Sequence, residues 1–197
     1  MINKLKVLFV TVYCLDIPEL VSLLLFATAG FLLTYKRWRE KPWTGKLVTA
    51  VLFCWITIVI YITIGDRTGS RPMQVNLIPF HSYREVLAGG NPEIYRSNFM
   101  NAVLFYPAGL LATALLPEKW PRWIKCVLVV LVFGALSVGI EYVQYTYALG
   151  RCEIDDVIHN TAGALVGSLA ALWMPSLLAW LNGQAKRMWE QYDHYRK

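Results

Sequence analysis

Apolar residues run without alternation through 18–35, 46–64, 98–116, 123–147 and 160–181, and polar residues gather between those runs. A helix needs about 20 apolar residues to cross a bilayer, so the pattern predicts five spans. Unbroken runs favour helices, because barrel strands alternate between lipid and lumen. Residues 5–15 are also apolar but short, and Asp16 and Pro18 separate them from the first run. They fit either an interfacial helix or a kinked extension of the first span. The expected architecture is an all-α polytopic transmembrane bundle. It divides into a first helix and extension over 1–45, a core over 46–182 and an amphipathic tail over 183–197.

Composition agrees with the pattern. The 197 residues are 56% hydrophobic and 16% charged, a balance that excludes an ordinary soluble domain. The net charge of +6 comes without a long basic block, so it reads as membrane topology rather than nucleic-acid binding. Lys36, Arg37, Arg39 and Lys41 crowd 36–45; Lys119, Arg122 and Lys125 crowd the next short connection; Lys186, Arg187, Arg196 and Lys197 mark the tail. Segment 148–159 holds one Arg and three acids, and 65–97 is mixed. The positive-inside rule then places the N-terminus outside and the C-terminus inside. Lys4 and Lys6 pull the other way, partly offset by Asp16 and Glu19. Trp38, Trp43, Trp120, Trp123 and Trp189 fall at the predicted membrane edges, where aromatic belts form.

The polar residues inside the spans carry the chemistry. A carboxylate at membrane depth costs about 2.5–3.5 kcal/mol even on a lenient scale. In the fourth span Gly134, Ser137, Glu141, Tyr145 and Ala148 recur at helical spacing, with Gln144 on the border. Glu141 lies about 10 Å below the outer end of that span. In the fifth, Asp156, Asn160, Gly163 and Gly167 form one stripe, with the glycines placed for close helix contact. Asp155 lies about 100° round from Asp156, with His159 one turn on. The third span opens with Asn98 and Asn101. Asn101, Glu141, Gln144, Asp156 and Asn160 are therefore expected to meet in the outer half of the bilayer, under a rim of Arg67, Arg71 and Arg151. Simpler roles compete: Asp155 and Asp156 suit helix caps, Asn98 suits a cap, and Glu141 suits a buried interhelical hydrogen bond.

Loop 65–97 is long for a helix connection. Turns at Gly65–Gly69 and Gly89–Pro92 flank Asn76-Leu77-Ile78-Pro79-Phe80. There is no Ser elbow, P-loop or zincin motif. One His among scattered acids matches no dedicated metal site, so neither a metal nor a cofactor is expected. Cys14, Cys54 and Cys126 lie in apolar runs and read as small core residues. Cys152 alone sits in a polar loop, so no disulfide is expected. The N-terminal apolar run lacks a small-residue cleavage site, so no removable signal peptide is expected.

Three segments together resemble the VanZ-like family of membrane proteins. The first is Asn76 to Phe80. The second is Asn101 to Phe105 with Pro107 and Gly109. The third comprises Ser137, Glu141, Gln144, Arg151, Asp155, Asp156, Asn160, Thr161, Gly163 and Gly167. The match spans roughly 50–175; Met100 and Glu153 depart from its usual residues, and neither touches the acids. The resemblance implies a bacterial plasma-membrane protein associated with low-level resistance to teicoplanin, a lipidated antibiotic directed at cell-wall precursors. It draws Asn76, Asn101, Glu141, Gln144, Arg151, Asp155, Asp156 and Asn160 into one candidate site, with Arg67 above. The expected ligand is an amphiphile, either that antibiotic or a lipid-linked cell-wall precursor, and the expected partners are membrane lipids. The alternative is an intramembrane enzyme using Glu141 or Asp156 as a general base.

Overall fold

The computed structural model of the chain describes residues 16–65 and 74–196. Helix α1 is Ile17–Trp38, and α2 is Thr44–Ile60, continued by a π-helical turn at Tyr61–Gly65. A short strand, β1 (Gln74–Asn76), leads to a two-turn helix, α3 (His81–Leu87). Helices α4 (Glu93–Leu115) and α5 (Arg122–Thr146) follow, then β2 (Arg151–Glu153) and α6 (Ile154–Arg196). Five of the helices are long and apolar enough to cross a membrane. The chain is an all-α bundle of multi-pass membrane type.

The helices differ from the apolar runs at their ends. Helix α4 starts at Glu93 with Pro92 at its N-cap, so Asn98 lies inside the helix and is not a cap. Helix α6 has 43 residues and continues through the charged tail. Loop 65–97 contains α3, and β1 pairs in parallel with β2 (Gln74 with Arg151, Val75 with Cys152, Asn76 with Glu153). No periodicity announced these two three-residue strands. Residues 5–15, Lys4, Lys6, Cys14, Arg67 and Arg71 lie outside the described residues.

Helix α4 is the hub: half of its spanning window is buried, against 28% or less for the others. In lipid, apolar burial alone does not drive helices together, so close packing and polar contacts must. Three glycines supply the packing where α4 crosses α6. A Cβ added at Gly163 would lie 2.1 Å from the Ala102 carbonyl oxygen. At Gly167 it would lie 2.0 Å from the Tyr106 oxygen, and at Gly109 2.0 Å from the Ala164 oxygen. Any side chain larger than hydrogen would separate the two backbones. Around this crossing Val59, Phe105, Phe133, Ile140 and Ala164 form the core, with Phe105 edge-on to Phe133.

Helix α1 packs on the outside of the bundle. The Thr28 hydroxyl shares a 2.7 Å hydrogen bond with the Tyr106 hydroxyl, and the Tyr35 hydroxyl donates to the Ala114 carbonyl at 2.7 Å. Phe26, Leu33, Phe53, Leu131 and Val138 are left exposed on the flanks, as lipid-facing residues are. Cys54 is exposed on such a flank rather than packed in the core; Cys126 is half-buried. At the end of the bundle where α1 turns into α2, Trp38 packs on Trp43, and the Arg122 guanidinium stacks over Trp173. Arg39 pairs with Glu118 at the same end.

Candidate functional site

The polar residues form a continuous seam at the other end of the bundle. Asn101 on α4 donates to Asp156 Oδ1 on α6 at 2.7 Å. One turn along α6, Asn160 donates to Ser137 Oγ on α5 at 2.9 Å. Ser137 leads along α5 to Glu141, whose Oε2 accepts the Glu153 backbone N–H at 2.9 Å. Gln144, one turn further, donates to the Thr63 carbonyl at 3.0 Å. Thr63 lies in the π-helical turn, where the change of winding disturbs the regular carbonyl ladder. Ser137, Glu141, Gln144 and Asn160 are all buried.

The inward face of α5 is Phe133, Ser137, Ile140, Glu141 and Gln144. Tyr145, placed on that stripe by spacing alone, is 39% exposed, and Gln144 takes the inward position. The helix unwinds just beyond, where Ala148 adopts a left-handed φ of 52° and the Leu149 N–H donates to the Gln144 carbonyl.

Asp155 and its neighbours do different work. Its Oδ1 accepts the Phe80 N–H at 2.5 Å, and its Oδ2 accepts the Ser82 N–H at 2.8 Å and the Ser82 hydroxyl at 2.5 Å. Asn98 then donates to Ser82 Oγ at 2.9 Å. Asp155 thus caps α3, a helix far from it in sequence, and holds Phe80 at a left-handed φ of 58°. That conformation costs about 1–2 kcal/mol for a residue with a side chain. Through these three hydrogen bonds Asp155 fastens the loop.

His159 closes the same clamp. Its Nδ1 lies 2.5 Å from the Asp155 carbonyl, which can only accept, so Nδ1 carries the proton. Nε2 shares a 2.8 Å hydrogen bond with the Tyr83 hydroxyl, and the two rings stack at 5.6 Å. Both ring nitrogens are occupied, and among the described residues no three His, Cys, Asp or Glu side chains converge.

The two other loop candidates lie at the strands. Asn76 Oδ1 accepts the Ile78 N–H at 3.2 Å, shaping the turn after β1. Arg151 is half-exposed and pairs with Glu153 at 3.1 Å. Arg67 lies outside the described residues. Sequence reasoning missed Ser82, Tyr83 and Thr63, whose roles come from contacts between distant segments. Burial, with the Glu141, Asp156 and Glu153 carboxylates adding, pushes the Cys152 thiol above its ordinary pKa. The four groups therefore share one electrostatic environment.

Two atoms in the seam stand out chemically. Gln144 Oε1 and Asn160 Oδ1 are buried and have no hydrogen-bond partner among the described residues. An unsatisfied buried acceptor costs about 1–3 kcal/mol. The seam therefore offers acceptor oxygens to a donor that the described residues do not supply.

No curated protein and no solved structure matches the chain. A family model described as VanZ/LLP1 matches residues 46–175. That range takes in every seam residue and α2 to α6 through the glycine crossing, and begins just after α1. With well over half its length covered, the chain belongs to the VanZ/LLP1 family.

Proposed function

We propose that the chain binds the polar head of a membrane-embedded amphiphile at the seam formed by Asn101, Glu141, Gln144, Asp156 and Asn160. The observation that carries this reading is the pair of buried, unpartnered oxygens on Gln144 and Asn160. Both sit one helical turn from a carboxylate, Glu141 and Asp156 respectively. Hydroxyl, amide and amine groups satisfy such oxygens; the head groups of lipid-linked cell-wall precursors and of lipoglycopeptide antibiotics are rich in all three. Basic connections at the opposite end support an N-out, C-in orientation in the bacterial plasma membrane, which puts the seam in the outer leaflet. Protection against teicoplanin follows if the seam captures the antibiotic or its precursor target.

The test is Glu141→Gln. Glutamine keeps an oxygen that can accept the Glu153 N–H but carries no negative charge. Expression and thermal stability should hold. Binding of a purified lipid-linked precursor or of teicoplanin in nanodiscs should weaken at least tenfold, and antibiotic protection should fall with it. Wild-type binding and protection in both Glu141→Gln and Asp156→Asn would overturn the reading and leave the seam as structural polar contacts.

A further inference from the structure

A cavity of about 570 Å³ opens at the end of the bundle away from the seam, between α1, α4, α5 and α6. That volume suits a small amphiphile head and the first part of its chains. Leu32, Leu116, Leu172 and Pro175 form apolar walls. Lys125 of α5 also lines it and is only 7% exposed. Long lysine stems often lie along apolar surface while the ammonium reaches water; the Lys125 stem is enclosed in this way and its charged end stays open to solvent. Among the described residues Lys125 has no side-chain hydrogen bond or ion pair. Its position in the first turn of α5 leaves that charge unfavourably placed, because a helix N-terminus repels a cation.

The remaining charges around the cavity do not relieve it. Glu118 is engaged by Arg39. Glu40 and Lys36 are exposed at the mouth and offset each other in charge. A cation without an acidic partner and apolar walls together call for an anion that carries its own apolar part.

We propose that this cavity seats the phosphate of an anionic membrane phospholipid, with Lys125 as its counter-ion and the acyl chains lying along Leu32 and Leu172. The site is separate from the seam and does not depend on the function proposed for it. The lipid is held in the leaflet opposite the seam.

The experiment uses the full-length protein in detergent, titrated with short-chain phosphatidylglycerol or phosphatidylcholine and read by native mass spectrometry. Wild type should retain phosphatidylglycerol at least tenfold more tightly than phosphatidylcholine. Lys125→Met keeps the length and apolar stem of the side chain, and it should remove that preference. Equal retention of the two lipids by wild type, or an undiminished preference in a folded Lys125→Met, would overturn the proposal. If Lys125→Met does not give a monodisperse protein, Lys125→Arg and Lys36→Gln decide. The preference should persist in Lys125→Arg and fall about threefold in Lys36→Gln; loss in the first or no change in the second counts against the site. Inorganic phosphate is the competing arm. Displacement of the lipid by millimolar phosphate would identify a free-anion site and defeat the lipid assignment.

Discussion

Replacing Asp155 by alanine should unfasten the loop end of the bundle without touching the seam. The substitution deletes the acceptor of three hydrogen bonds, from the Phe80 N–H, the Ser82 N–H and the Ser82 hydroxyl. A hydrogen bond to a charged group contributes about 1.5–3 kcal/mol. The Ser82 hydroxyl can rotate towards another acceptor, but the two backbone N–H groups cannot. Counting those two gives a loss of about 3–6 kcal/mol. For a chain of this size each kcal/mol lowers Tm by about 2–4 °C, so Tm should fall by roughly 6–24 °C. Asp155→Asn keeps one acceptor oxygen and presents an NH2 to the remaining donor, so it should lose about half as much. The assay is thermal unfolding in detergent followed by tryptophan fluorescence, with limited proteolysis between residues 77 and 92 as a local readout. Phe80, held at φ 58° by this contact, should relax and open that segment to cleavage. A Tm within 2 °C of wild type with unchanged proteolysis would refute the clamp.

Other outcomes follow from the same geometry. Gly167→Ala places a Cβ 2.0 Å from the Tyr106 carbonyl and should abolish monodisperse expression; Gly30→Ala, with nothing within 4 Å, should leave it unchanged. Cys152 should react with a water-soluble maleimide more slowly at pH 8 than an unperturbed thiol. Its rate should keep rising with pH beyond the ordinary thiol range, because burial and then Glu141, Asp156 and Glu153 raise its pKa. Glu141→Gln should speed that reaction, and an unchanged rate would remove Glu141 as a contributor. Single cysteines introduced at Trp43 and Gly90 test the orientation: external reagent reaching position 43 but not 90 would invert it.

What could be read in advance was whatever recurs along a helix. The five spans follow from the length of the apolar runs. A close helix contact was visible in Gly163 and Gly167, because glycines four apart leave a groove, but not that its partner would be α4. The pairing of Asn101 with Asp156 was reachable from shared depth and facing stripes. The clamp was not, because Asp155, Ser82 and Tyr83 sit on separate elements and obey no period. Nor did spacing decide between Gln144 and Tyr145, which are neighbours on the helix; the π-helical turn at Thr63 decides it by presenting a carbonyl to Gln144. Lys125 looked like one more basic residue at the cytoplasmic edge, and only the convergence of four helices shows that its stem is enclosed.

The clamp also sets an order of events during synthesis. Phe80 waits for a partner 75 residues downstream, and β1 waits equally long for β2. At about 5–20 residues per second, the loop after α2 spends roughly 4–15 s without its partners while α4 and α5 emerge. During that interval the left-handed turn at Phe80 has nothing to hold it. The loop and the polar face of α5 can reach their final form only when the start of α6 leaves the ribosome. Closure of the seam is then among the last steps of assembly, and a chain arrested before Asp155 would carry four of its five spans with the polar end still open.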